Sequence, residues 1–209
     1  VIRFTQEQSK AKRMTAGIDD GEDVQLAVRA QMGDRPAFER LVRRYQDRVF
    51  RFILRMVGIR DEAMDLAQET FLKAYRALPG WRPEARFSTW LFQIARNAAL
   101  DALRRRRHID FVSLTSGPDE EAIDPCDTAP LPEELLADKQ RIGLLERALR
   151  ELPVEQREIL LLRELEDMSY ADIAATLNIE VGTVKSRIAR ARVAVLAHYR
   201  HHAGESCHD

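Results

Sequence analysis

Apolar residues recur three and four positions apart through nearly all of this chain, and that spacing breaks once, between Ile109 and about Leu131. A period of 3.6 suits helices, because strand side chains alternate faces with a period of two. The spacing therefore predicts an all-α chain of two helical domains. Between them, Pro118, Pro125, Pro130 and Pro132 stand among Asp, Ser and Thr, which reads as a flexible acidic linker. Fully extended at ~3.3 Å per residue, about 25 residues would reach roughly 80 Å. As a coil they would span about 25–30 Å.

The expected divisions are a polar tail over 1–21, a first domain over 22–108, the linker over 109–132, a second domain over 133–200 and a short tail over 201–209. In the first domain, a helix over about Val24 to Met32 stops at Gly33, and Asp34 and Pro36 open the next. That helix carries Phe38, Leu41, Val42, Tyr45, Val49, Phe52, Ile53 and Met56 on one face and ends at Gly58. A third begins near Asp61, with Ala63, Leu66, Ala67, Phe71, Ala74 and Leu78 inward and Asp61, Asp65, Gln68 and Glu69 on another face. Pro79-Gly80 stops it. A fourth runs from about Ser88 into Arg104-Arg105-Arg106-Arg107.

The net charge of -1 conceals how the charges are arranged. From Asp110 to Asp138 there are nine acids and no Lys or Arg, and the four arginines stand just before them. Val181 to Arg200 holds Lys185, Arg187, Arg190, Arg192 and Arg200 without an acid. Local fields of this kind attract phosphate, whatever the total.

The second domain carries the sharper motif. A stripe of Leu144, Leu145, Ala148, Leu149 and Leu152 ends at Pro153, and a helix over Val154 to Arg163 follows. Ser169-Tyr170-Ala171-Asp172 is a capping box that opens a short helix with Ile173, Ala174 and Leu177 inward. Asn178-Ile179-Glu180 makes a turn, in which Asn tolerates the left-handed conformation. On the next helix Val184, Ile188, Ala191 and Val195 share the core face. Lys185, Ser186, Ala189 and Arg190 share the opposite one. Arg or Lys can pair with guanine there, Ser with several bases, and Ala with a thymine methyl. Gly182 and Thr183 offer backbone N–H groups to a phosphate, and Arg187 and Arg192 lie toward the edges. The plainer alternative is an amphipathic hairpin with a solvated basic face.

Trp81, Phe87, Trp90 and Phe92 cluster among Arg82, Arg86 and Arg96. Such aromatics are either core or a stacking platform for unpaired bases, worth roughly 1–3 kcal/mol per base. Asn97 could bond an extruded base. Opening a duplex costs about 1.4 kcal/mol per stacked step, and a chain with no Walker loop can offset that only by preferring the separated strand.

Three segments, in order, resemble the extracytoplasmic-function RNA polymerase sigma factors of the sigma-70 family, most closely the envelope-stress group. Asp61 to Tyr75 looks like the helix that docks on the β′ clamp, and Phe87 to Asn97 looks like the element that melts and reads the −10 box. Leu149 to Pro153, Tyr170 to Ala174 and Val181 to Arg187 resemble the region that reads the −35 box. The resemblance implies a promoter-recognition subunit and no enzyme. It places Asp61, Asp65, Gln68 and Glu69 on core polymerase, and Phe87, Trp90, Arg96, Asn97, Arg104 and Arg105 at the melted −10 DNA. It places Gly182, Thr183, Lys185, Ser186, Arg187, Ala189 and Arg190 on the −35 DNA. Ala189 replaces an aromatic common in that group, and Lys185 replaces a usual Arg and loses its bidentate fork. The partners implied are the polymerase β′ and β subunits, double- and single-stranded promoter DNA, and an anti-sigma factor that covers these same surfaces.

Two other readings stand beside this one: a free-standing helix-turn-helix regulator that binds duplex operators as a dimer, and a protein-interaction module. No apolar run nears the roughly 18 residues of a membrane span, and no signal-peptide pattern opens the chain. Cys126 and Cys207 lie far apart in polar surroundings, so a reducing cytoplasm is expected. His198, His201, His202, Cys207 and His208 crowd the C-terminus. With one cysteine and a mobile tail they are expected to hold no metal, and no cofactor is expected.

Overall fold

The computed structural model describes residues 20–84, 86–112 and 133–205, and every regular element among them is helical. The N-terminal domain comprises α1 (Asp20–Gln31), α2 (Arg35–Val57), α3 (Arg60–Ala77), a 3-10 turn (Leu78–Gly80) and α4 (Phe87–Val112). The C-terminal domain comprises α5 (Glu133–Glu151), α6 (Val154–Leu160), a π-helical turn (Leu161–Leu165), α7 (Tyr170–Leu177) and α8 (Val181–Glu205). The linker expected over 109–132 lies outside the described residues except at its start, where α4 runs on to Val112.

Local chemistry sets the helix ends. Asp34 caps α2 by accepting from the Ala37 N–H at 3.2 Å, with Pro36 in the first turn. Hydrogen bonds from the Arg29 side chain and the Ala37 backbone hold the Asp34 carboxyl below its ordinary value. Gly58 closes α2 at φ 83°, where a Cβ would be strained. Asp61 and Glu62 sit in the first turn of α3, against the positive end of its dipole.

The α2 helix is the spine of the N-terminal domain, with α1, α3 and α4 packed around it. Leu41, Tyr45, Val49, Phe52, Ile53 and Met56 are buried along it, as the period requires. Phe52 meets Phe92 of α4 edge-on, with ring centroids 5.4 Å apart. The Tyr45 hydroxyl donates to Asp23 of α1, and burial with that bond pushes its pKa far up. In the C-terminal domain α8 packs on α5, α6 and α7. The helix read over Val154 to Arg163 gives way after Leu160 to a π turn, which leads to Asp167 at φ 53°.

The two domains touch. The α4 helix packs on α7, and α2 on α5 and α6, so that one apolar cluster runs through both.

Candidate nucleic-acid interface

The hairpin of α7 and α8 forms as its sequence signals require. Ser169 accepts from the Asp172 N–H at 3.1 Å and caps α7. Asn178 ends that helix in the left-handed region, at φ 53° and ψ 52°. Val184, Ile188 and Ala191 are buried beneath α8, and Val195 is half-buried. Lys185, Ser186, Ala189 and Arg190 are all exposed on its outer face, as is Gly182, while Thr183 and Arg187 are half-buried. The same helix thus buries one stripe and presents two cations, a hydroxyl and a methyl on the other. Arg192 is held in an ion pair by Glu164 at 2.5 Å, which raises its pKa.

The aromatic segment divides between core and surface. Phe87, expected at an unpaired base, is instead 2% exposed. It is sealed among Tyr45, Trp81 and Trp90 at centroid distances of 5.7, 6.0 and 5.6 Å. Three rings around one small loop bury more area together than a solvated platform could, so Phe87 shapes the loop from beneath. Trp81 and Phe92 are also buried, while Trp90 is half-buried and Asn97 is exposed on α4.

Arg96 also departs from expectation. Its guanidinium donates from Nε to Glu158 Oε2 at 2.7 Å and from Nη2 to Oε1 at 3.2 Å, across the domain boundary. Arg104 and Arg105 are exposed near the end of α4, Arg104 within 3.4 Å of Asp101. Arg106 turns inward to Glu62 and to the Val57 carbonyl.

On α3, Asp61, Asp65 and Gln68 are exposed, and Glu69 pairs with Lys73 at 2.8 Å. Of these, Gln68 lines an open, largely apolar groove between α2 and α3, together with Phe38, Val42, Phe50, Met64, Phe71, Leu72 and Tyr75. Phe38, Val42 and Phe71, read as inward, are half-buried along it, and Phe38 and Phe71 also pack against the core. The groove was missed, although a signal for it exists. Met64, Leu72 and Tyr75 stand at helical spacing on α3, off its buried stripe, and are 47%, 57% and 44% exposed. Several large apolar side chains kept in water along one groove mark a docking surface.

At the C-terminus, His198 Nδ1 and His202 Nε2 lie 2.6 and 2.8 Å from the two carboxylate oxygens of Glu151. They tie the last turns of α8 to the end of α5. Cys207 and His208 lie outside the described residues, and among the described residues no three such ligands converge on one point.

The family model described as Sigma-70 region 2 matches residues 41–109, and that described as Sigma-70, region 4 matches residues 142–195. The RNA polymerase sigma-H factor of Pseudomonas aeruginosa is 40% identical over 179 residues, covering 83% of this chain and 92% of that protein. The ECF RNA polymerase sigma-E factor of Escherichia coli K12 is 39% identical over 176 residues, covering 83% and 92%. Among solved structures, the sigma factor RpoE in complex with the anti-sigma factor NepR from Bartonella quintana superposes with a TM-score of 0.65 at 26% identity, covering 78% of this chain and 96% of that one. CnrH in complex with the cytosolic domain of CnrY superposes with a TM-score of 0.62 at 26% identity, covering 84% and 96%.

Proposed function

Because the chain belongs to the extracytoplasmic-function group of the sigma-70 family of RNA polymerase sigma factors, we propose that its three exposed surfaces divide promoter recognition between them. The outer face of α8 reads the −35 element in the major groove. Lys185 and Arg190 supply donors to base acceptors, Ser186 a hydroxyl and Ala189 a methyl contact. Gly182 and Thr183 at the start of the helix, with Arg187 at its edge, fit phosphates. The observation that carries this reading is the joint exposure of Lys185, Ser186, Ala189 and Arg190 opposite buried Val184 and Ile188.

The α4 helix and the loop before it take the separated −10 strand. Half-buried Trp90 offers a ring and exposed Asn97 an amide, with Arg96, Arg104 and Arg105 for the backbone. Phe87 acts from below by fixing Trp90 and Trp81. Binding that favours the single strand over the duplex offsets part of the cost of opening without a fuel site.

The α2–α3 groove, which Gln68 lines, docks core polymerase together with Asp61, Asp65 and Glu69 on the same helix. The chain thus acts as a subunit of the transcription machinery in the cytoplasm and not as an enzyme. No described helix is long and apolar enough to cross a membrane. The structural relative bound to NepR supports an anti-sigma factor as a further partner of this chain, competing for the same groove. Runoff transcription from a genomic fragment library, with core polymerase in the presence and absence of the chain, tests this reading. Defined starts that appear only when it is added support it. Specific DNA binding without polymerase, and no new starts, would replace it with a free-standing regulator.

A further inference from the structure

The first helix reaches the loop ahead of α4 at two points. Gln31, the last residue of α1, donates from its side-chain Nε2 to the Leu78 carbonyl at 2.8 Å and to the Trp81 carbonyl at 2.7 Å. Further back on the same helix, Asp23 accepts from the Tyr45 hydroxyl, and the Tyr45 ring meets Phe87 with centroids 5.7 Å apart. Neither Gln31 nor Asp23 lies within residues 41–109, the stretch that matches region 2.

The two carbonyls belong to the first residue of the 3-10 turn and to the residue just after it. Between them stand Pro79, which has no N–H, and Gly80, which has no side chain, so the turn has little of its own to hold it. Inside the turn, Leu78 also accepts from the Trp81 N–H at 3.0 Å. The Gln31 amide spans the same turn from outside, with one hydrogen for each end. Trp81 leaves it extended, at φ −69° and ψ 140°. A bond to the Trp81 carbonyl fixes that peptide plane, and so the direction in which the chain runs on toward α4. Gln31 is itself held in place, because Gly33 turns the chain at φ 93° and Arg29 donates to Asp34 at 2.8 Å.

The loop needs such a hold. Trp81 is 5% exposed and packs 6.0 Å from Phe87 and 6.5 Å from Trp90. Its indole N–H is buried without a hydrogen-bond partner. An enclosed donor left unpaired favours any arrangement that returns it to water. The bond from Gln31 opposes that by tying the Trp81 backbone to α1.

We infer that Gln31 is a positioning residue for strand separation: its two hydrogen bonds keep the Trp81 ring as the wall against which Trp90 packs, on the face of α4 that carries Asn97. This rests on the reading of α4 and its preceding loop as the single-strand site. Without the bonds the loop takes other shapes, and strand capture falls with the fraction of molecules that keep the competent one.

The test uses the full chain with core polymerase, on a promoter found by the runoff assay. Gln31→Glu keeps the shape of the side chain and turns both donors into an acceptor facing two carbonyls. Gln31→Met removes the donors without adding a charge, should the carboxylate impair folding. Gln31→Lys keeps donors at similar reach. In the Glu and Met variants, opening followed by permanganate footprinting should slow about tenfold, as for a loop that keeps its shape one-tenth of the time. Core affinity and closed-complex formation should be those of the parent, because Gln31 lines neither the α2–α3 groove nor the outer face of α8. The Lys variant should recover most of the opening rate. The two tryptophans of the chain are Trp81 and Trp90, so in the free Glu and Met variants emission should shift to the red while far-UV circular dichroism stays the same. Equal losses of core affinity and of opening would make Gln31 a residue of the fold alone and overturn the inference. So would opening at the parent rate in the folded Glu and Met variants, or a Lys variant as slow as they are. Asn97→Ala tells the two readings apart. If it slows opening and the Gln31 variants do not, only the tie from Gln31 is lost; if none of them slows opening, the single-strand reading falls as well.

Discussion

The guanidinium of Arg96 on α4 is clamped by the carboxylate of Glu158 on α6, with Nε and Nη2 donating and both oxygens accepting. Burial pushes the Glu158 carboxyl above its ordinary value, and Arg96 offsets only part of that. Glu166 behaves alike, raised by burial and opposed by Arg48. Enclosed charges of this kind cost desolvation that their partners only partly return.

That balance gives the fold a pH dependence. Where burial raises a carboxyl, the folded state holds its proton to higher pH than the unfolded state does. Between the ordinary value of 4.5 and the raised ones, the folded state binds more protons. This contribution to stability is present below that window and is lost as pH rises through it. Glu166→Gln removes one such titration. Its melting temperature relative to the parent chain should climb from about pH 5 toward neutrality. A falling difference would mean that the Arg48 charge outweighs burial.

Arg190→Ala should cost roughly 1–3 kcal/mol at one promoter position and relax base preference there. Holoenzyme binding to a set of −35 variants measures this. A uniform loss across all sequences would assign Arg190 to a phosphate.

Asn97→Ala should leave formation of the closed promoter complex nearly intact and slow its opening, as followed by permanganate footprinting. A parallel loss in both steps would remove Asn97 from strand capture. Phe87→Ala is a different experiment. The ring is enclosed by three others, so its loss should destabilise the fold by about 3–5 kcal/mol, and thermal melting should show it.

Leu72→Glu places a charge in the α2–α3 groove at an exposed site. Folding stability should change by no more than about 0.5 kcal/mol. Affinity for core polymerase, measured by competition with a labelled sigma factor, should fall at least about tenfold, because the glutamate would be desolvated in an apolar interface. Undiminished affinity would move the docking site off this groove.

Much of the local structure was legible in the sequence. The 3.6 period of Leu41, Tyr45, Val49 and Phe52 required a buried face on α2. Ser169 and Asn178 announced the two ends of α7 because capping and left-handed turns depend on side chains within a few residues. The outer face of α8 followed from spacing alone, since a helix separates residues by angle whatever surrounds it. What a helix face meets is not local. Nothing in Phe87-Ser-Thr-Trp90 says that the first ring is enclosed and the last is half open, because the answer depends on Tyr45 and Trp81 arriving from other segments. Nor does a 3.6 period show the π turn after Leu160.

The sequence by itself determined most of the helices, several of their caps and the exposed basic face of α8, because each is set by neighbours a turn or two away. Only the tertiary structure decided that Arg96 and Arg48 are occupied, because Glu158 and Glu166 lie 62 and 118 positions beyond them. An ion pair at that separation leaves no periodic trace, and its strength comes from burial that exists only once the two domains have met.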